Sequence, residues 1–329
     1  MLPQNFFFNH CRTGATIKGP IWRYTLVMKQ LAPLKKGDVV ALAATARKVS
    51  PDEMAPAIAL LRSWGLDVRV PEGLYSEENQ LAGSDEHRAA LLQQMLDDPE
   101  VKAVLCCRGG YGTVRIIDRL DFKHFAQYPK WIVGYSDVTV LHSHIHTLFG
   151  LPTLHATMPI NMGANSSPAD ESLRKVLFGE TIDYQWDEIF HGNRSGTTEG
   201  LVVGGNLSIL YSLCGSPSAL DTRGKILLIE DLDEYLYHID RMMQNLKRNG
   251  MLSGLAGLLV GGLTDMHDNT IPFGRTAEEI VRDTVEEYDY PVAFNAPFGH
   301  LGGDNLALPL GIPVRLSVAP SGTARISTI

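Results

Sequence analysis

The sequence predicts an α/β protein with a doubly wound parallel sheet in its N-terminal part and a smaller, mixed α/β C-terminal domain around a small sheet or open barrel. Three observations carry that expectation. Short apolar runs alternate with capped helical patterns between residues 38 and 157; glycine pairs and shorter strands follow residue 200; and residues 163–200, rich in Ser, Asn, Gly and Asp, separate the two textures. At 329 residues the chain is long for a single core. Two domains are therefore expected, over 31–162 and 201–329, joined by a linker or long loop over 163–200.

Residues 1–30 read as a poorly ordered N-terminal extension. The run Phe6-Phe7-Phe8 is too short for a signal-peptide core and has no basic residue before it, and Met28 opens a stretch that could serve as the start. The first strand is Val39-Val40-Ala41-Leu42-Ala43. A polar loop leads to Ser50-Pro51-Asp52-Glu53, a capping box with proline in the first turn, and Met54, Ile58 and Leu61 follow at helical spacing until Gly65. A strand over 67–70 precedes a second helix, capped by Ser84 and carrying Leu91, Leu92, Met95 and Leu96. Strands over 101–105 and from Trp131 complete the alternation, with a helix over 113–120 between them. Beyond residue 200, strands are expected over 201–206, 225–230, 258–262 and 291–294 and around Val314 and Ala324, with helices over 235–249 and 276–288; the pattern does not fix their topology.

Composition excludes several classes. A hydrophobic content of 44% with 20% charged residues is that of a soluble globular protein. A net charge of −8 with scattered Lys and Arg argues against nucleic acid as a partner, and the apolar runs fall short of a membrane span. Cys11, Cys106, Cys107 and Cys214 offer no disulfide framework or zinc spacing, so a reducing setting is expected, with the vicinal pair as small buried hydrophobes.

Chemistry is concentrated at strand exits. In Gly134-Tyr135-Ser136-Asp137-Val138 an apolar strand runs through a serine into a helical pattern, which aims the hydroxyl towards ligand and leaves the next N–H free. Val138 stands where a G-x-S-x-G elbow has its second glycine, and a Ser-Asp helix cap is the plainer reading. Glu230 ends the run from Lys225, and His300 follows the strand over 291–294, giving the chain order Ser, acid, His. Glu230 could instead pair with Lys225 or Arg241, and Asp231, Asp233 or Asp304 could be the acid. His142 and His146 fall at i and i+4 without the Glu of H-E-x-x-H, and with His144 they read as solvated or interfacial histidines; no metal is expected. Arg108-Gly109-Gly110-Tyr111-Gly112 lacks the P-loop lysine and the G-x-G-x-x-G spacing of a nucleotide cradle.

Taken together, G-Y-S-D, I-E-D-L-D-E and F-G-H-L-G-G, with the earlier R-G-G-Y-G, resemble the LD-carboxypeptidases, the muramoyl-tetrapeptide carboxypeptidase family of serine peptidases, from about residue 35 to about 320. The resemblance implies a nucleophile at Ser136, a general base at His300 and an orienting acid at Glu230. It implies a cofactor-free cytoplasmic enzyme that releases the terminal D-alanine of muropeptide tetrapeptides through an acyl-enzyme, in cell-wall recycling. Amide hydrolysis also needs oxyanion donors, for which the backbone N–H groups of Asp137 and Gly110 are placed. Arg108, at the rim of the glycine loop, is assigned to the substrate carboxylate with Tyr111 beside it, a loop salt bridge being the alternative for the arginine. Two other functions stay open: an immunity-type hydrolase of peptide-nucleotide antibiotics, with Tyr184 and Trp186 stacking on the base, and a non-catalytic ligand-binding module. The partner expected is a small peptide or muropeptide, with neither nucleic acid nor membrane, and a homodimer is left open.

Overall fold

The apolar runs of the N-terminal part become strands β1 (Val39–Ala43), β2 (Asp67–Arg69), β3 (Val101–Cys106), β4 (Trp131–Gly134) and β5 (Thr153–His155). The computed structural model describes residues 31–187 and 189–329; the extension expected over 1–30, with Cys11, lies outside them. These strands pair in parallel in the order β2-β1-β3-β4-β5. Alternation along β1 explains the double winding. Val40 and Leu42 join the cluster holding Met54 and Leu61 of the helix Pro51–Ser63, whereas Ala41 and Ala43 join Leu92 and Met95 of the helix Asp85–Asp97 on the opposite face. Both halves of the expected capping box form: Glu53 N donates to Ser50 Oγ at 3.3 Å and Ser50 N to Glu53 Oε2 at 2.8 Å. The helix expected over 113–120 is shorter, Thr113–Ile116 running into a single 3-10 turn.

The remaining strands are β6 (Asp183–Trp186), β7 (Gly196–Asn206), β8 (Ile226–Leu232), β9 (Gly257–Thr264), β10 (Val292–Ala293), β11 (Leu308–Leu310), β12 (Pro313–Val318) and β13 (Ala324–Thr328). β11 returns to the first sheet, antiparallel to β5, as its sixth strand. The others form a seven-stranded open sheet, β10-β9-β8-β7-β12-β13-β6, parallel from β10 to β7 and antiparallel beyond it. One apolar cluster runs through both sheets, uniting Val133 and Leu154 with Val202, Leu228 and Leu259.

Residues 163–200 are not one long loop. They hold the helix Ser167–Leu177, capped by Ser166, then β6 and the start of β7. Ala169, Leu173, Val176 and Leu177 bury one face of that helix together with Ser172, and most of its other polar residues lie on the opposite side, as on the edge strand β6; one-sided burial produced the loop-like composition.

The strand order of the first sheet reverses between β1 and β3, so the loops after β1, β3 and β4 open at one end. Asn206, at the end of β7, docks there: its N–H donates to Thr139 Oγ1 at 3.0 Å, tying the second sheet to the helix that follows β4. The exits of the two parallel arrays thereby line one groove.

Candidate active site

β4 ends at Gly134, Tyr135 is extended, and Ser136 takes a left-handed φ of +62° before the helix Thr139–Phe149 begins. That conformation costs a residue with a side chain roughly 1–2 kcal/mol. No side-chain cap forms at this helix start, so Ser136 is not the N-cap of the plainer reading. A Cβ added to Gly134, itself at φ +154°, would stand 2.8 Å from Val138 Cγ2. The tight elbow therefore needs glycine at 134 only, which leaves position 138 free to carry a buried valine.

Asp137 turns its side chain inwards, where its Oδ2 accepts from Thr113 N at 2.8 Å and so ties the elbow to the loop after β3. That loop passes over the serine. A Cβ on Gly109 would lie 3.0 Å from Ser136 Oγ and 3.5 Å from Asp137 N, so a side chain there would crowd the space beside hydroxyl and amide. Gly110 lines the same groove, and its Cα is covered by the Arg47 side chain.

The second sheet brings the other groups. Glu230, inside β8, is fully buried, and its Oε2 accepts from Nδ1–H of His300 at 2.6 Å. Burial works against charge on both partners, yet their mutual attraction wins: the carboxyl is held below its usual range and the imidazole lies above the ordinary 6.5. Thr264 Oγ1 donates to the His300 carbonyl at 3.0 Å, and the Tyr135 ring centre lies 4.7 Å from that of His300. Asp231 is engaged elsewhere, accepting from Asn206 Nδ2 at 2.9 Å, Ser208 N at 2.8 Å and Leu232 N at 2.9 Å. Asp233 pairs with His267, and Asp304 is exposed.

A cavity of about 510 Å³ lies between Ser136 and His300, with Arg47, Arg108, Asn206 and Asp231 in its wall. A second, of about 590 Å³, continues past His300 along Thr157, Asn161, Asn165 and Asp265. Asn161, Leu232 and His300 border both, so the groove has two lobes meeting at the histidine, and only the first contains arginine.

Several expectations change. Arg108 lines the first lobe but pairs with Glu53 Oε1 at 3.2 Å, and Tyr111 lies outside the lining, 48% exposed. Arg47 was missed, although the loop after β1 had to open beside the other strand exits; it forms no ion pair among the described residues. Asn206 ends β7 and was missed in the same way. Of the solvated and interfacial readings of His142 and His144, the interfacial one fits: both are buried, bonding Gly134 O and Ser218 Oγ, each at 2.9 Å, because their helix is wedged between the sheets. Burial pushes the Cys106 thiol up to about 12 and raises that of Cys107 as well, leaving both inert at neutral pH. Tyr184 and Trp186 do not reach the groove: on β6 they bond Ala307 O at 3.0 Å and Phe294 O at 2.8 Å and pack on Phe298. Among the described residues no helix is long and apolar enough to cross a membrane.

Comparison with known proteins places this geometry. Family models of an LD-carboxypeptidase N-terminal domain and an LD-carboxypeptidase C-terminal domain match residues 38–156 and 199–316. A probable murein peptide carboxypeptidase of Bacillus subtilis (strain 168) is 38% identical over 294 residues, covering 87% of this chain and 91% of its own. The crystal structure of muramoyltetrapeptide carboxypeptidase from Oxalobacter formigenes superposes with a TM-score of 0.80 at 27% identity, over 88% of this chain and 98% of that one. The microcin C7 self-immunity protein MccF, in its wild-type apo state, shares the fold at 22% identity and a TM-score of 0.79, over 91% of this chain and 98% of its own.

Proposed function

The chain belongs to the LD-carboxypeptidase family of serine hydrolases, and from that premise we propose that it releases the terminal D-alanine of murein tetrapeptides through an acyl-enzyme on Ser136. The observation that carries this reading is a left-handed serine lining one cavity with a histidine whose Nδ1 is hydrogen-bonded to a fully buried carboxylate. Ser136 Oγ attacks the carbonyl carbon as its proton passes to His300 Nε2, and Glu230 stabilises the imidazolium. The oxyanion is received by the N–H of Asp137 and by the glycine loop at Gly110. As the C–N bond breaks, His300 returns the proton to the amine of D-alanine. Water then enters, loses a proton to His300 and hydrolyses the ester, and Ser136 recovers its hydrogen.

The free carboxylate of the substrate is better served by Arg47 than by Arg108, since Arg108 already has Glu53 as its counter-ion. A cytoplasmic site of action fits the free thiols of Cys106, Cys107 and Cys214. The peptide-nucleotide alternative loses its aromatic platform once Tyr184 and Trp186 are committed to the sheet.

The test is chirality. Hydrolysis of a tetrapeptide ending in D-alanine should exceed that of its L-alanine isomer at least about a hundredfold in kcat/KM, because a carbonyl misplaced by about 1 Å loses that much. Equal rates for both termini overturn the assignment.

A further inference from the structure

We propose that His155 is a positioning residue for the catalytic acid, its Nε2–H holding the oxygen of Glu230 that His300 does not use. The inference rests on the Ser136–His300–Glu230 reading and adds a fourth side chain to it. His155 ends β5 and is fully buried, beside Gly134 in the neighbouring strand that delivers the nucleophile. Its Nε2 lies 3.9 Å from Glu230 Oε1. Among the described residues neither atom has a hydrogen-bond partner, although both are buried.

A bare carboxylate oxygen and a bare ring nitrogen facing each other in the core are each costly to leave unpaired. A water cannot sit between them, because two ordinary hydrogen bonds through one water span about 4.5 Å or more. A small turn of either side chain closes the gap instead. Among the described residues the surroundings supply no competitor. Tyr135 meets the His155 ring with centres 5.8 Å apart, Asp231 is occupied by its own three donors, and His142, 6.5 Å away ring to ring, gives its Nε2 proton to Gly134 O. His142 is also held neutral, burial pushing it down to about 3, so it adds no charge.

Held from both sides, the carboxylate cannot swing away from His300, and its charge is shared between two donors. Removing the second donor leaves the whole charge to His300, which favours the imidazolium and raises its pKa. Since the base must be unprotonated to act, the rising limb of kcat/KM then moves to higher pH.

His155→Phe and His155→Gln in the full-length enzyme test this. The phenylalanine keeps the volume without the donor, and should lower kcat at pH 7 by about tenfold or more with little change in KM, while shifting that limb upwards. Glutamine, which restores an N–H near the Nε2 position, should recover most of both. A phenylalanine variant with wild-type kcat and limb, or a glutamine variant as impaired as phenylalanine, overturns the inference. If the phenylalanine variant does not fold, imidazole 15N NMR of the wild-type protein decides: a proton on Nε2 is expected, and one on Nδ1 with Nε2 bare overturns it. The two failures separate. An unlabelled Ser136 in wild-type enzyme treated with a fluorophosphonate removes the triad and this inference with it, whereas a labelled Ser136 with an indifferent His155→Phe removes this inference alone.

Discussion

The two sheets border one groove but contribute to it by different means. The first sheet works through backbone: a strand end, one glycine and a left-handed φ fix Ser136, the proposed nucleophile, within a few residues, and the loop after β3 passes over it. The second works through charge, joining a carboxylate and an imidazole 70 residues apart in sequence by burying one of them completely. Ser136 is thus set by local strain, and His300 by long-range electrostatics. Damage on the first side should misplace atoms without moving protonation, and damage on the second should change protonation as well as rate.

The largest effect tests whether the sides act as one machine. Ser136→Ala and His300→Ala should each lower kcat by on the order of 10⁴- to 10⁶-fold, and the double variant should be little worse than either. Multiplicative losses would show the two sides working independently. Glu230→Gln keeps the shape but takes the charge from His300, with an expected loss of about 10⁴-fold.

Gly109→Ala sharpens the contrast from the first side. Its methyl would sit 3.0 Å from Ser136 Oγ, in the space beside the Asp137 amide. A kcat loss of about 10²- to 10³-fold is expected, with the limb set by His300 unmoved. Wild-type turnover would place the oxyanion elsewhere, and a shifted limb would break the division of labour.

The smallest effect separates two cations on the same lip. Arg47→Ala should raise KM for the free acid by about tenfold or more and erase its advantage over a C-terminal amide. Arg108→Ala, which removes a guanidinium already paired with Glu53, should do less. Steady-state kinetics on acid and amide substrates read both, and the reverse order would return the carboxylate to Arg108.

Legibility in the sequence follows the same division. Ser136 could be read because its elbow is local: strand, glycine, serine and helix lie within ten residues. Glu230 and His300 could be read as strand exits, and the family resemblance favours Glu230 over Asp231; the physical ground for that preference, the donors that already occupy Asp231, appears only in the structure. Arg47 and Asn206 follow from the same strand-exit rule applied to β1 and β7. His155 does not, since its part depends on a contact across both sheets. The helix Thr139–Phe149 hides its histidines because it is covered on several sides, and Tyr184 and Trp186 mimic a binding loop because β6 is an edge strand with a polar outer face. Fold class came from periodicity; the sharing of strands between sheets did not, because a three-residue strand such as β11 has almost no pattern of its own.

That short strand sets a timetable for the nascent chain. β11 covers the edge of β5, yet Leu308 is made 153 residues after His155 (308 − 155). At 5–20 residues per second the ribosome needs roughly 8 to 30 s to supply it. Through that interval Thr153–His155 presents unpaired backbone to whatever strand comes near, the condition that favours edge-to-edge association. The first sheet is assembled early but sealed late, and the strand left waiting is the one that carries His155.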